Sequence, residues 1–349
     1  MNNAAGRFRD SGSARHFARR AGTRVLVSDV GGTNARFGLA EAGSRGVLVA
    51  GSVREFPVAG FASLSEAAGS YLQMQGEHVD LAVFAVAGRI VDDEVRITNH
   101  PWVISREQTE RALGISHVAL INDFAAQAMA ITCLQRDDVV AIGPQAWRPF
   151  DARVPRTYAV IGPGTGLGVG GLLVRNGRCY PLETEGGHAG FAPVTVADLR
   201  LLECLIGRFG RVSCERLVSG PGLVNLYSAV CEIHGQTQET TEPSAITARA
   251  AAGDANCQRA IEVFCAAFGS MAGDLVLTHG AWDGVFLAGG LVPKLLPALQ
   301  ASSFRERFES KGRFSSALAE VPSLAIVHPS SGLLGAAAHA AELLHASNA

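Results

Sequence analysis

Lysine is nearly missing from this 349-residue chain; Lys294 and Lys311 are the only two. Neither follows a glycine loop. That weakens any mechanism resting on a P-loop lysine, a protein-kinase strand lysine or a Schiff base. Paired cysteines are missing too. Cys133, Cys179, Cys204, Cys214, Cys231, Cys257 and Cys265 form no CxxC pair, which reads as reduced thiols and excludes a structural zinc site. Charge of one sign is lacking: the formal net charge is −2, so nothing draws the chain toward nucleic acid or anionic lipid. No apolar run is expected to span a bilayer.

Glycine is abundant, with 40 residues gathered in short loops, as tight turns or close backbone approach to a ligand require. The length exceeds what one core usually serves, so two lobes are expected. Residues 1–23 stand apart. They carry Arg7, Arg9, Arg15, Arg19 and Arg20 against Asp10, and no apolar stretch. This reads as a disordered extension, with a transit peptide the alternative its composition leaves open.

The rest alternates strands and helices. "TRVLVSDVGGTNARFGLAEA" is an apolar run, a Gly-Gly break and a second apolar run, which predicts a β-hairpin. "GVLVAGSVREF" suits a further strand, "SLSEAAGSYLQMQ" a helix and "VDLAVFAVAG" a buried strand. "SREQTERALG" predicts a helix capped by Ser105, with Gln108 three residues on and Gly114 as its stop. "HVALINDFAAQAMAI" is a strand followed by a helix. Roughly 130 residues after the first hairpin, "TYAVIGPGTGLGVGGLLVRNGRCYPLE" repeats the strand–glycine turn–strand pattern. Helices are expected around 195–208, 221–233 and 256–279. "DGVFLAGGLV" and "LAIVHP" read as strands, and "GLLGAAAHAAELLHA" as a closing helix. A duplicated α/β unit explains the repeat economically, its two glycine turns facing one cleft.

Gly31 and Gly32 in the first turn can aim backbone N–H groups at an anion, and Thr33 and Asn34 add side-chain donors. Asp29 would be repelled by phosphate, but suits the Mg²⁺ of a nucleotide, held through water. Taken alone, the motif reads equally as a plain hairpin turn. Gly164, Thr165 and Gly166 form the apex of the second turn. A dinucleotide fold is excluded there, because a strand and not a helix follows and Glu183 and Glu185 fall in a Gly/His turn. Asn122 and Asp123 end a buried strand, where α/β folds place ligands. Asp123 is either a general base or simply the cap of the next helix. Glu185, His188 and Glu215 are acceptors of the kind that bind sugar hydroxyls. Glu215 could instead pair with Arg211 or Arg216, and His188 could be a turn or core histidine.

Taken in order, "DVGGTNARFGLA", "TNHPW", "INDFAAQAMAI", "VIGPGTGLGVGGLL", "EGGHAGFAP", "ERLVSGPGLVNLY" and "FLAGGLVPK" resemble the bacterial glucokinases of the hexokinase/actin/Hsp70-like ATPase superfamily, over roughly residues 24–345. The resemblance implies a two-lobed ribonuclease-H-like fold with an interlobe cleft. Residues 24–120 plus 324–349 would form a small domain and 121–323 a large one. It implies ATP-dependent phosphorylation of D-glucose to glucose 6-phosphate, feeding glycolysis, by a cytoplasmic homodimer. ATP and Mg²⁺ would lie on Asp29, Gly31, Gly32, Thr33, Asn34, Gly164, Thr165 and Gly166, with Gly289 and Gly290 against the adenosine. Asp123 would be the base toward the sugar 6-hydroxyl. Asn122, Asp123, Glu185, His188 and Glu215 would contact glucose, and Asn99 and His100 would shape the sugar-side wall. The cysteine-rich zinc motif of the related ROK sugar kinases is absent after His188, and the start leaves no room for a helix-turn-helix repressor domain. Another hexose kinase, or a sugar sensor without turnover, remains an open alternative.

Overall fold

The computed structural model describes residues 23–97 and 100–346. The chain opens with β1 (Arg24–Val30), β2 (Asn34–Glu41), β3 (Arg54–Pro57), helix α1 (Leu64–Gln75) and β4 (Leu81–Val86). A small antiparallel sheet follows, β5 (Ile90–Val91), β6 (Glu94–Arg96) and β7 (Val103–Ser105), then α2 (Arg106–Leu113), β8 (His117–Asn122) and α3 (Asp123–Ala130). The second half contains β9 (Val139–Ala141), β10 (Arg156–Pro163), β11 (Leu167–Arg175) and β12 (Arg178–Thr184). Helices α4 (Val196–Phe209), α5 (Gly220–Ile233), α6 (Pro243–Ala251) and α7 (Ala255–His279) come next. The chain ends with β13 (Val285–Leu287), α8 (Val292–Ala301), α9 (Phe304–Glu309), α10 (Ser315–Ala319), β14 (Ser323–Ile326) and α11 (Ser331–Ala346).

Two sheets carry the architecture. The first has the order β3-β2-β1-β4-β8 and the second β12-β11-β10-β13-β14-β9. In each, an antiparallel three-strand meander is extended by two parallel strands, β4 and β8 in one and β13 and β14 in the other. β4 is buried along its whole length, as a strand covered on both faces must be. Helices α3 and α11 lie between the sheets. Their Met129, Ala336 and Ala337 share a core with Val25 and Val27 of the first sheet and Val160 and Leu172 of the second. The outer face of the first sheet packs on α1 through Leu26, Phe37 and Tyr71, and that of the second on α5, α7 and α9. Strand alternation then places the chemistry. Val25 and Val27 point into the middle layer, so Asp29 points there too, at the open end of the same face.

Several sequence expectations are revised. Of "GVLVAGSVREF" only the last three residues, which begin β3 (Arg54–Pro57), are strand; upstream a single bridge joins Ala40 to Leu48. Ser105 occupies the cap position of α2, but its side chain makes no capping bond, because the residue is still the end of β7. Gly114 does end that helix, at φ 65°. β14 belongs to the second sheet, so residues 324–326 leave the domain expected to hold the whole C-terminal segment. α11 packs against β1, β2 and β4 of the first sheet. α7 is long and apolar enough to cross a membrane by composition, against the expectation that no stretch would be. Phe264, Cys265, Phe268 and Val276 nonetheless bury it in the second core. Residues 1–22 and Asn99 lie outside the described residues.

Candidate active site

The open ends of the two sheets enclose a cleft of about 720 Å³, within the size range of small-molecule sites. In the first turn, the Gly31 N–H donates to the Asn34 carbonyl (3.0 Å), and Gly31, Gly32 and Thr33 line the cleft. Asn34 serves here through its backbone and is not among the lining residues. In the second, the Gly164 N–H donates to the Gly166 carbonyl (2.8 Å), and the Gly164 carbonyl accepts from Gly220 N–H (2.8 Å) at the start of α5. Gly164, Thr165 and Gly166 line the same cleft, as do Gly289 and Gly290. Gly289 sits at φ 90° with the Pro163 carbonyl so close that a Cβ would approach it to 2.8 Å, so only glycine fits there.

Asn122 and Asp123 mark the junction of β8 with α3. The Asn122 Oδ1 accepts from Phe124 N–H (2.9 Å) and Ala125 N–H (3.2 Å), and its Nδ2 donates to the Gly88 carbonyl (3.3 Å). Asn122 is therefore the helix cap, which leaves Asp123 at the first helical position facing the cleft. Burial pushes the Asp123 carboxyl up to about 7, the Asp29 and Glu185 charges add to this, and its bond from Phe124 N–H opposes it. Asp29 is likewise raised, first by burial and then by Glu55, against the pull of Arg36. Arg36 stands directly across β2 from Asp29. At the start of α11, Gly332 presses on the Asp29 carboxylate, and any Cβ there would collide with it.

Glu185 precedes a short helical turn at Gly186–His188. The His188 Nε2 is 3.9 Å from Glu185 Oε2, with both side chains more than half exposed to the cleft and solvent. Two backbone bonds, Cys214 N–H to Ala189 O (2.8 Å) and Phe191 N–H to Val212 O (3.1 Å), tie this turn to the segment bearing Glu215. The Glu215 carboxylate accepts from Leu167 N–H (2.9 Å) and so braces the second glycine turn. Neither nearby arginine pairs with it. Arg211 donates to the His188 carbonyl (2.6 Å), and Arg216 lies over the Phe209 ring (4.3 Å). His100 packs edge-on against Trp102 (5.1 Å) and is not among the lining residues.

The cleft also holds residues that motif reading passed over: Arg36, Gln127, His328, Ser331 and Gly332. Hairpin register could have found Arg36, since a four-residue turn between the paired Val30 and Ala35 sets it opposite Asp29. Nothing local in the sequence marks the C-terminal residues.

The glucokinase family model matches residues 26–343. Over 318 residues the chain is 61% identical to the glucokinase of Stenotrophomonas maltophilia strain R551-3, spanning 91% of this chain and 95% of that one. It is 60% identical, with the same coverage, to the glucokinase of Xanthomonas campestris pv. campestris strain 8004. Among solved structures, a glucokinase from an Antarctic psychrotroph superposes with a TM-score of 0.80 at 36% identity, covering 90% of this chain and 98% of that one.

Proposed function

The chain belongs to the glucokinase family, and from that premise we propose that it transfers the γ-phosphoryl group of ATP to O6 of D-glucose. Asp123 is the general base, and the two glycine turns hold the phosphates. One observation carries the reading: the Asp123 carboxyl, raised to about 7, shares a cleft with both turns and with Glu185, His188 and Glu215. Phosphoryl transfer needs positioning and charge neutralisation more than covalent chemistry. Backbone N–H groups of the turns and the Arg36 guanidinium supply these from the protein. A base near neutrality is matched to removing a proton from a sugar hydroxyl. Glu185, His188 and Glu215 fix the hydroxyl pattern.

Asp29 is the residue that would hold Mg²⁺, through water. Among the described residues no group of three or more His, Cys, Asp or Glu is arranged to hold a metal. That fits an ion carried on the phosphates better than a protein cage. When bound, Mg²⁺ would neutralise phosphate charge and favour the ionised form of the Asp29 carboxyl.

The rest of the reading is a duplicated α/β unit behind the two hairpins, and lobes that close on the sugar to keep water from ATP. The product feeds glycolysis, and the protein is a cytoplasmic homodimer. The test is the purified protein with ATP, Mg²⁺ and a panel of hexoses, with ADP release coupled to a chromogenic reaction and the product identified by phosphorus NMR. Glucose 6-phosphate formed from glucose in preference to other hexoses is expected. Sugar binding without ADP release, or faster turnover of another hexose, would overturn the proposal.

A further inference from the structure

Gln127 is the one strongly polar side chain in the stretch "FAAQAMA" after Asp123, and it lies one helical turn beyond Asp123 on the same face of α3. It lines the cleft together with Asp29 and Asp123. Its Oε1 is buried and has no hydrogen-bond partner, while Ala125, Ala126, Ala128 and Met129 on the other faces of the helix are apolar and buried. A leucine would cost less at such a place, because an unpaired buried acceptor loses its water for nothing. The atom therefore lacks a donor that a bound ligand brings.

The surroundings say which kind. The Asp29 and Asp123 carboxyl groups line the same cleft as this oxygen. This end of the cleft is rich in acceptors, with Arg36 as the cation beside them. A further acceptor among carboxylates has no use for another anion. It suits the polarised waters around a divalent cation, which are strong donors. We propose that Gln127 is an outer-sphere positioning residue for the nucleotide's Mg²⁺, its carboxamide oxygen being the acceptor that would take a hydrogen bond from the ion's hydration shell. This rests on the nucleotide reading above.

The test uses the full chain with ADP and glucose and Mn²⁺ as the probe, its binding followed by electron paramagnetic resonance. Gln127→Leu should weaken Mn²⁺ binding by about tenfold or more, the usual effect of losing an outer-shell partner. ADP binding in EDTA and glucose binding by tryptophan fluorescence should stay within about twofold, since the residue acts through the metal alone. Gln127→Glu keeps an acceptor oxygen and should bind Mn²⁺ at least as tightly as the parent. If Gln127→Leu does not fold, Gln127→Met serves the same comparison. Unchanged Mn²⁺ affinity in the apolar variant, or an equal loss of metal-free ADP, would overturn the role of Gln127 alone. A parent protein that binds no Mn²⁺–ADP would overturn both this role and the nucleotide reading.

Discussion

Replacing Asp123 by asparagine should make the protein more stable and nearly inactive at once. Burial raises the Asp123 carboxyl from an ordinary 3.8 to about 7, so the folded protein carries an unfavourable charge at neutral pH. A carboxyl whose pKa is raised by folding favours the fold below its unfolded value, and that contribution is lost as pH rises through the folded value. With about 1.4 kcal/mol per pH unit, ionising Asp123 in the fold costs on the order of 4 kcal/mol by pH 8. Asparagine avoids the cost and can still accept the bond that Phe124 N–H now gives Asp123 at 2.9 Å. In thermal or urea unfolding, Asp123→Asn should exceed the parent by a few kcal/mol at pH 8, and the gap should narrow by about 1.4 kcal/mol per unit between pH 7 and 4. Turnover should fall by at least about 100-fold, the usual contribution of a general base, with glucose binding mostly kept. A stability gap independent of pH would refute the desolvation argument. Near-normal turnover would refute the base assignment.

For the parent enzyme, kcat/KM should fall about tenfold per pH unit below about 7 as Asp123 takes up its proton; a flat profile down to pH 5 would contradict that. Glu215→Gln can still accept from Leu167 N–H, so it should raise the KM for glucose by about tenfold or more while sparing that for ATP, and an unchanged glucose KM would remove Glu215 from the sugar site. Gly332→Ala would drive a methyl into the Asp29 carboxylate. Despite alanine's better helix propensity it should cost about 1–3 kcal/mol and lower kcat, and a fully active, stabilised variant would show that Asp29 is free to move. Gly168→Ala would collide with the Phe124 ring beside Asp123 and should destabilise by a similar amount, about 1–3 kcal/mol, as calorimetry would show.

Much of this site is legible as local pattern. The turns Gly31–Thr33 and Gly164–Gly166 announce themselves because apolar strands flank glycines on both sides. Asn122 and Asp123 do so because two polar residues follow the apolar run Val118–Ile121 of β8. What pattern reading left open was the division of labour between neighbours. Asp123 could be a base or the cap of α3, and backbone direction decides against the cap: the Asn122 oxygen meets two N–H groups and Asp123 is released into the cleft. Glu215 between Arg211 and Arg216 invites an ion pair, yet the turn of the chain sends both guanidiniums elsewhere and the carboxylate to Leu167 N–H.

By itself, the sequence determined the element types, the two glycine hairpins and the acidic residues available for chemistry, because all of these follow from spacing of two to four residues along the chain. Tertiary structure alone decided which residues meet. It moved β14 into the second sheet, brought Gly332 from the far C-terminus against Asp29, and set Arg36 and Gln127 beside the carboxylates. It also desolvated Asp123. A pKa near 7 depends on what surrounds a carboxyl in three dimensions, and no run of neighbouring residues specifies that.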